Sequence, residues 1–233
     1  GLVDYTATYT VEFVAEEYTV SVTAENGTVN GAGTYAVGQS VTLEATADEG
    51  YKFYNWTDAA GNVLSTDSTY TFTMGSEDVT INANFVKTEE AVLADVDDRI
   101  EDAIDDLKLD GTGISEITYA DKKATFRIED PTTNISAFAQ SGVIELFQNM
   151  FTDVTNAVIT VNGKDYTIEN PAGMDESQLI SAVLNNLIIP LVGDEPTMKL
   201  ADLVGKSASA ELTISAGLVD YTATYTVEFV AEE

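Results

Sequence analysis

The seventeen residues GLVDYTATYTVEFVAEE stand at positions 1–17 and again, letter for letter, at positions 217–233. Seventeen consecutive identities do not arise by chance, and the segment does not recur in between, so short-period low complexity is excluded. From residue 1 to residue 217 the offset is 216 residues. The economical reading is a window on a tandem array with a unit of that length, in which residues 1–17 are the last strand of the preceding unit. The other reading is an engineered duplication. In the second copy Tyr221, Ala223, Tyr225, Val227 and Phe229 alternate with Thr222, Thr224, Thr226 and Glu228. This period of two predicts a half-buried strand with its aromatic face inward, and Tyr5, Ala7, Tyr9, Val11 and Phe13 repeat it in the first copy. From Val11 to Ala24 no Gly, Pro, Asn or Asp intervenes, so one strand is expected to lead almost directly into the next.

Composition narrows what such a chain can do. With 233 residues, 44% of them hydrophobic, it has enough apolar surface for one large domain or two ordinary ones. Forty acidic against ten basic residues give a formal charge of −30. Such a charge repels nucleic-acid phosphates and anionic membrane surfaces, and neither is expected as a partner. Cysteine and histidine are both absent, which excludes disulfides, thiolate metal sites, imidazole bases and Cys/His nucleophilic pairs. No run approaches the ~18 apolar residues of a membrane span, so no membrane insertion is expected. The first residues read as a strand and lack the basic start of a signal peptide, which places any targeting signal outside this stretch.

From Tyr18 to Val86 the chain is a series of short strands and turns. Tyr18, Val20 and Val22 form one strand; Asn26-Gly27 and the glycines from Gly31 to Gly33 supply turns; Val41, Leu43 and Ala45 form the next. Gly50 introduces GYKFYNWT, Gly61-Asn62 marks a further turn, Tyr70, Phe72 and Met74 alternate, and Val79, Ile81, Ala83 and Phe85 close the series. The stretches NGTVNGAGTYAVGQSVTLEATADEGYKFYNW and TFTMGSEDVTINANF resemble the divergent internalin B-repeat, or Listeria–Bacteroides repeat, of bacterial surface proteins. The resemblance covers residues 18–86. It implies a compact β-grasp-like module used in strings on cell surfaces, with no shared catalytic residues.

Composition changes to helix formers near Lys87. Leu93, Val96, Ile100, Ala103, Ile104 and Leu107 share one helical face, with Asp95, Asp97, Asp98, Glu101, Asp102, Asp105 and Asp106 mostly off it. Strands are expected around 116–119 and 124–128, then a helix carrying Ile135, Phe138, Val143, Leu146, Phe147 and Met150. A hairpin follows in AVITVNGKDYTI with Asn162-Gly163 at its tip, then a helix from Glu176 to Ile189 ended by Pro190. A loop with Pro196 leads to the last strands. The fold class expected is therefore β-rich plus α+β: residues 1–17 as a preceding unit's strand, a β-grasp-like B-repeat module at 18–86, and an α+β module at 87–233 with helices packed on an antiparallel sheet.

Candidate chemistry is sparse. Asp98/Asp102 and Asp102/Asp106 are spaced i, i+4, where two carboxylates could share a cation such as calcium, but no DxDxDG loop is present and the reading is a solvated helix face. Asp48-Glu49 and Asp194-Glu195 read as turn and loop acids. Tyr51, Phe53, Tyr54 and Trp56 could stack on a carbohydrate. The resemblance instead places Tyr51, Phe53 and Trp56 in the module's core, with a bulge turning Phe53 and Trp56 both inward. Lys122, Lys123, Lys164 and Lys206 with Asn134, Asn149 or Asn185 are available for an intramolecular isopeptide bond, and no spacing singles out a pair. No catalytic, cofactor or metal residue is assigned.

The reading is a non-enzymatic tandem repeat unit of a bacterial cell-surface adhesin, extracellular, acting as a semi-rigid stalk or spacer. The alternative is a module that binds a glycan or host protein and gains strength by multivalency. Its partners are neighbouring repeat units of the same chain. Residues 1–17, exposed as a strand without a module of its own, are expected to dock on a neighbouring molecule, to lie against residues 18–86, or to compete for the twin segment's slot.

Overall fold

Turn chemistry sets the layout of the first unit. In a computed structural model that describes residues 5–135, 143–193 and 198–232, the chain divides into two units, residues 1–86 and 87–233. The first holds β1 (Glu17–Ala24), β2 (Gly27–Asn30), β3 (Gly33–Ala36), β4 (Ser40–Ala47), β5 (Tyr51–Asp58), β6 (Val63–Ser65), β7 (Thr69–Thr73) and β8 (Val79–Lys87). Asn26 takes a left-handed turn conformation at φ 64°. Gly27 follows because a Cβ there would lie 2.5 Å from the Phe85 ring and 2.7 Å from the Thr46 carbonyl oxygen.

Two sheets result, one ordered β3-β1-β8-β5-β6 and one ordered β2-β4-β7. Val20, Trp56, Ile81, Ala83 and Phe85 from the first and Val41 and Leu43 from the second share one core with Met74. Trp56 is fully buried, and its indole N–H donates to the Asp67 carbonyl at 2.9 Å, so the largest apolar side chain carries no unsatisfied donor. The first and last strands, β1 and β8, pair in parallel from Val20↔Val79 to Ala24↔Ala83.

Lys87 opens the second unit. Thr88 caps α1 (Glu89–Asp106) by accepting from the Ala91 N–H, and Val92, Val96, Ile100 and Ala103 are the buried stripe. β9 (Ile114–Ala120) and β10 (Lys123–Ile128) follow, then α2 (Val143–Met150), β11 (Val154–Val161), β12 (Lys164–Glu169), α3 (Glu176–Val183), β13 (Ser207–Ser215) and β14 (Asp220–Ala231). The β11–β12 hairpin turns at Asn162 and Gly163, with φ 52° and 75°, as its sequence predicts.

All six strands form one sheet in the order β12-β11-β13-β14-β10-β9, and helical and strand side chains share a single core. The chain is thus β-rich plus α+β, the class read from the sequence. Antiparallel ladders predominate, but β10 runs parallel to β14, as β1 does to β8.

Three local expectations are corrected. Residues 5–16 form no strand, although the second copy does, because a strand needs a ladder partner and none of the described residues supplies one. The helix expected from Ile135 to Met150 is helical over 143–150; Ile135 is buried beside an isolated bridge between Asn134 and Lys199, and Phe138 lies outside the described residues. Pro190 does not end the third helix. After Val183 the helix widens into a π turn over Leu184–Ile188, with the Ile189 N–H donating to the Leu184 carbonyl, and Ile189–Val192 continue as a helical turn before Gly193 at φ 88°. Widening relieves the clash a proline ring would make with the carbonyl four residues back.

The first unit's core predicts independent folding. Expressed as residues 18–86, it should unfold in one cooperative transition, and Leu43→Ala should remove about 2–5 kcal/mol by denaturant titration. A gradual, non-cooperative transition in the unsubstituted segment would show that its core is incomplete.

Candidate functional site

The repeated strand is where sequence and structure part company. In the second copy, β14 lies between β13 and β10, paired antiparallel from Ser207↔Glu228 to Ser215↔Asp220 and parallel from Lys123↔Thr226 to Ile128↔Ala231. Its inward side chains reach the core, with Tyr225 4% and Phe229 1% exposed, and the Phe229 ring stacks on Phe126 at 5.2 Å. The Tyr221 hydroxyl donates to the Lys87 carbonyl at 2.7 Å. The same side chains in the first copy have no such surroundings: Tyr5, Tyr9 and Phe13 are 92%, 88% and 92% exposed. Identical residues are thus buried strand in one place and solvated chain in the other, and tertiary partners decide between the two.

Beside β14 lies a polar cluster centred on Asp97. Asp97 of α1 accepts from the Tyr119 hydroxyl at 2.5 Å and from the Lys122 ammonium at 2.8 Å, while Lys122 lies 5.7 Å from the centre of the Tyr225 ring. Asp121 and Lys122 form the two-residue β9–β10 turn at φ 51° and 60°, a conformation that costs a lysine about 1–2 kcal/mol and that the ion pair and ring contact offset. Burial, then the hydrogen bond and charge of Asp97, push the Tyr119 hydroxyl pKa far up. Burial, then the charge of Asp97, push Tyr225 up as well, and the Tyr225 hydroxyl meets no hydrogen-bond partner among the described residues. The apolar gap beneath, between Ile100, Phe126, Leu146, Phe151, Leu187 and Tyr225, holds about 50 Å³. That is far below the roughly 300–1,000 Å³ of ligand sites, so the cluster ties α1 to the sheet and does not form a binding pocket.

The other sequence candidates disperse. On α1, Asp95 pairs with Lys87 and Asp97 with Lys122, while Asp98, Glu101, Asp102, Asp105 and Asp106 make no ion pair among the described residues and line the outer helix face. Among the described residues no group of three or more Asp or Glu is arranged to hold a metal ion. Asp194 and Glu195 lie outside the described residues. Trp56 is core, and Tyr51 and Phe53 pack against that core, with the Phe53 ring 5.3 Å from Trp56 and 5.6 Å from Phe85; Tyr54 faces outward. The bulge expected between Phe53 and Trp56 is not where the ladder shifts: the β5–β6 register changes after Trp56, from Trp56↔Ser65 to Thr57↔Val63, with Leu64 of β6 as the extra residue. Lys122 and Lys123 engage the carboxylates of Asp97 and Glu228. Lys164 lies over the Tyr166 ring at the hairpin tip. An open groove of about 440 Å³ near Gly113 carries Asp110, Glu129 and Asp130, but both Asp130 oxygens already accept from Thr132 and Thr133.

The fold of the first unit is two small sheets closed by a parallel pairing of first and last strands, with no assembled set of reacting groups among its described residues. Residues 18–89 match the family model of the divergent InlB B-repeat domain, which bears out the resemblance and carries it three residues past Val86 to the start of α1. Domains of this family belong to bacterial surface proteins, and it is residues 18–89 of this chain that are similar to them. No curated protein matches the chain.

Two outcomes follow from the site. Phe229→Ala should cost the second unit about 3–5 kcal/mol, whereas the twin substitution Phe13→Ala should leave thermal unfolding unchanged. Equal losses would mean that both copies are integral strands. The tyrosines set an alkaline limit. Below about pH 10 they are protonated in both states; above it the unfolded chain releases those protons while folded Tyr119 and Tyr225 retain theirs, so stability should fall as pH rises past 10. Thermal midpoints followed across that range should decline less steeply in Tyr119→Phe.

Proposed function

We propose that the chain is a tandem repeat unit of a bacterial cell-surface adhesin and serves as a semi-rigid, non-enzymatic spacer that holds other parts of the protein away from the cell. The observation that carries this reading is the join between repeats. Mapped by the 216-residue offset, Glu16 corresponds to Glu232. Glu232 still belongs to the second unit's ladder, its N–H donating to the Ile128 carbonyl at 2.9 Å. In the first copy the Glu16 carbonyl accepts from the Val37 N–H at 3.1 Å, and β1 begins at Glu17. In an array, one glutamate therefore bonds backward through its N–H to an α+β module and forward through its carbonyl to the next B-repeat module.

No linker residue remains at that join. Flexible linkers are Gly/Ser-rich, and bending here would require breaking ladder hydrogen bonds. The family match at 18–89 supports a surface location, and a family of repeat modules in surface proteins fits a mechanical role better than a catalytic one.

A chain extended by a second copy of residues 18–233, so that the seventeen-residue segment sits once between two full units, tests this. Small-angle scattering should give a maximum dimension that grows in proportion to unit number and a profile fitted by one fixed shape. A profile that requires freely jointed modules would overturn the spacer reading, and reproducible binding on a glycan array would favour the multivalent binding module.

A further inference from the structure

The edge strand of an open sheet presents unpaired backbone groups and invites another strand unless shortness, glycine or charge discourages it. Among the described residues, edge strands β2 and β3 are four residues long and begin with glycine, and β6 is three residues long. In the second unit, edge strand β9 carries Glu116 and β12 carries Lys164, Asp165 and Glu169. β7 is an edge of the β2-β4-β7 sheet and reads TYTFT, without glycine, proline or charge. We propose that β7 is a self-association edge that pairs antiparallel with β7 of a second copy of this chain. The pairing rests on the first unit alone and is independent of the spacer reading.

The ladder with β4 decides which backbone groups are free. The Ala45 N–H donates to the Ser68 carbonyl at 2.9 Å and the Met74 N–H to the Gln39 carbonyl at 2.8 Å, so the even-numbered residues along β7 bond to β4. The N–H and C=O groups of Thr69, Thr71 and Thr73 therefore point out of the sheet edge, and all three residues are exposed. Read backwards, TYTFT keeps its alternation of threonine and aromatic. Antiparallel pairing centred on Thr71 sets Thr71 against Thr71 of the second copy, Thr69 against its Thr73, and Tyr70 against its Phe72. On the outer face the Thr71 hydroxyl already lies 3.0 Å from that of Thr42, and the pairing extends this row across the two-fold axis. On the inner face Tyr70 and Phe72 stack at 5.4 Å and stay half-buried at the border of the core. The same two rings from the second copy cover their open sides.

Charge points to this edge and this partner. In a molecule of net charge −30, residues 68–74 carry none, so the self-paired register sets no carboxylate against another. Strand β9 or β12 of the same chain would instead bring Glu116, or Asp165 and Glu169, to the edge. A second β7 is the complement that the strand's own symmetry specifies, and the contact closes as a two-fold pair. Five residues a side make a small, weak interface, and modules repeated along a chain would strengthen it by acting together.

The chain has no cysteine, so a single introduced thiol reports on its own position. Residues opposed in a hydrogen-bonded pair have Cα atoms about 5.5 Å apart, within the disulfide range of roughly 4.4–6.8 Å. Under mild oxidation the full chain with Thr71→Cys should form a covalent dimer, at twice 24.9 kDa by intact mass, about tenfold faster than Thr42→Cys, which shares the outer face but stands one strand from the axis. Mixed Thr69→Cys and Thr73→Cys chains should link to each other in preference to themselves, which fixes the register. Thr71→Pro removes an N–H that makes no bond within the module, and Thr71→Lys sets two ammonium groups face to face. Either change, added to the mixed pair, should bring its linking down to the Thr42→Cys rate while the first unit's unfolding transition is retained. Equal rates for Thr71→Cys and Thr42→Cys would overturn the proposal, and a strand of the same chain lying on this edge would give that result. Linking of the mixed pair that survives Thr71→Lys would overturn it as well.

Discussion

The second unit depends on a strand that arrives last and lies in the middle. Remove β14 from the order β12-β11-β13-β14-β10-β9 and the sheet separates into a three-stranded piece and the β9–β10 hairpin. A two-stranded hairpin is marginal in water, so the helices that cover that end of the sheet, and the Asp97, Tyr119 and Lys122 cluster that ties α1 to it, need β14 in place. The Phe126–Phe229 stack is the apolar centre of that closure, and the parallel ladder from Lys123 to Ile128 is its hydrogen-bonded frame. Loop-closure entropy opposes these contacts before they form, because β10 and β14 are about a hundred residues apart. Folding of the second unit should consequently be slow relative to formation of its local hairpins.

The first unit solves the same problem in the same way. Its last strand, β8, lies between β1 and β5, and its parallel ladder with β1 joins the two ends of the module. Ile81, Ala83 and Phe85 on β8 then complete the core around Trp56. Both units are therefore closed by their final strand, and in both an early strand waits for it. This makes each unit all-or-none and makes the identity of the closing strand decisive.

Legibility in the sequence follows the range of the interaction. Strands with strict alternation, the Asn162-Gly163 hairpin and the stripe of α1 are readable because each rests on neighbours within a few residues. Trp56 and Phe53 are placed inward by resemblance, since their spacing of three does not fit plain alternation. Parallel pairing of β10 with β14 is not readable, because no local pattern records which distant strand is adjacent. The Asp121-Lys122 turn is hidden because neither residue is a glycine or asparagine; the ion pair to Asp97 that holds it is a tertiary contact. Pro190 reads as a helix stop in sequence, whereas the π turn makes room for its ring. Residues 5–16 mark the clearest limit: pattern alone reports that a segment can be a strand, and only a partner makes it one.

Charge decides how safely such a segment can be exposed. An exposed segment carrying Tyr5, Tyr9, Val11 and Phe13 invites indiscriminate association, yet it belongs to a chain of net charge −30. Molecules of like charge repel within about 8 Å at physiological ionic strength, which is the distance over which a loose apolar contact would have to form. A contact that overcomes this must bring many hydrogen bonds and a matched core at once, together with a local cation for the segment's own carboxylate. The second copy meets these conditions as β14 of its own unit, with two ladders, the Phe126 face and Lys123 beside Glu228. Acidity thus suppresses generic stickiness along the chain, and only a contact that brings a ladder and a matched core together can offset its cost.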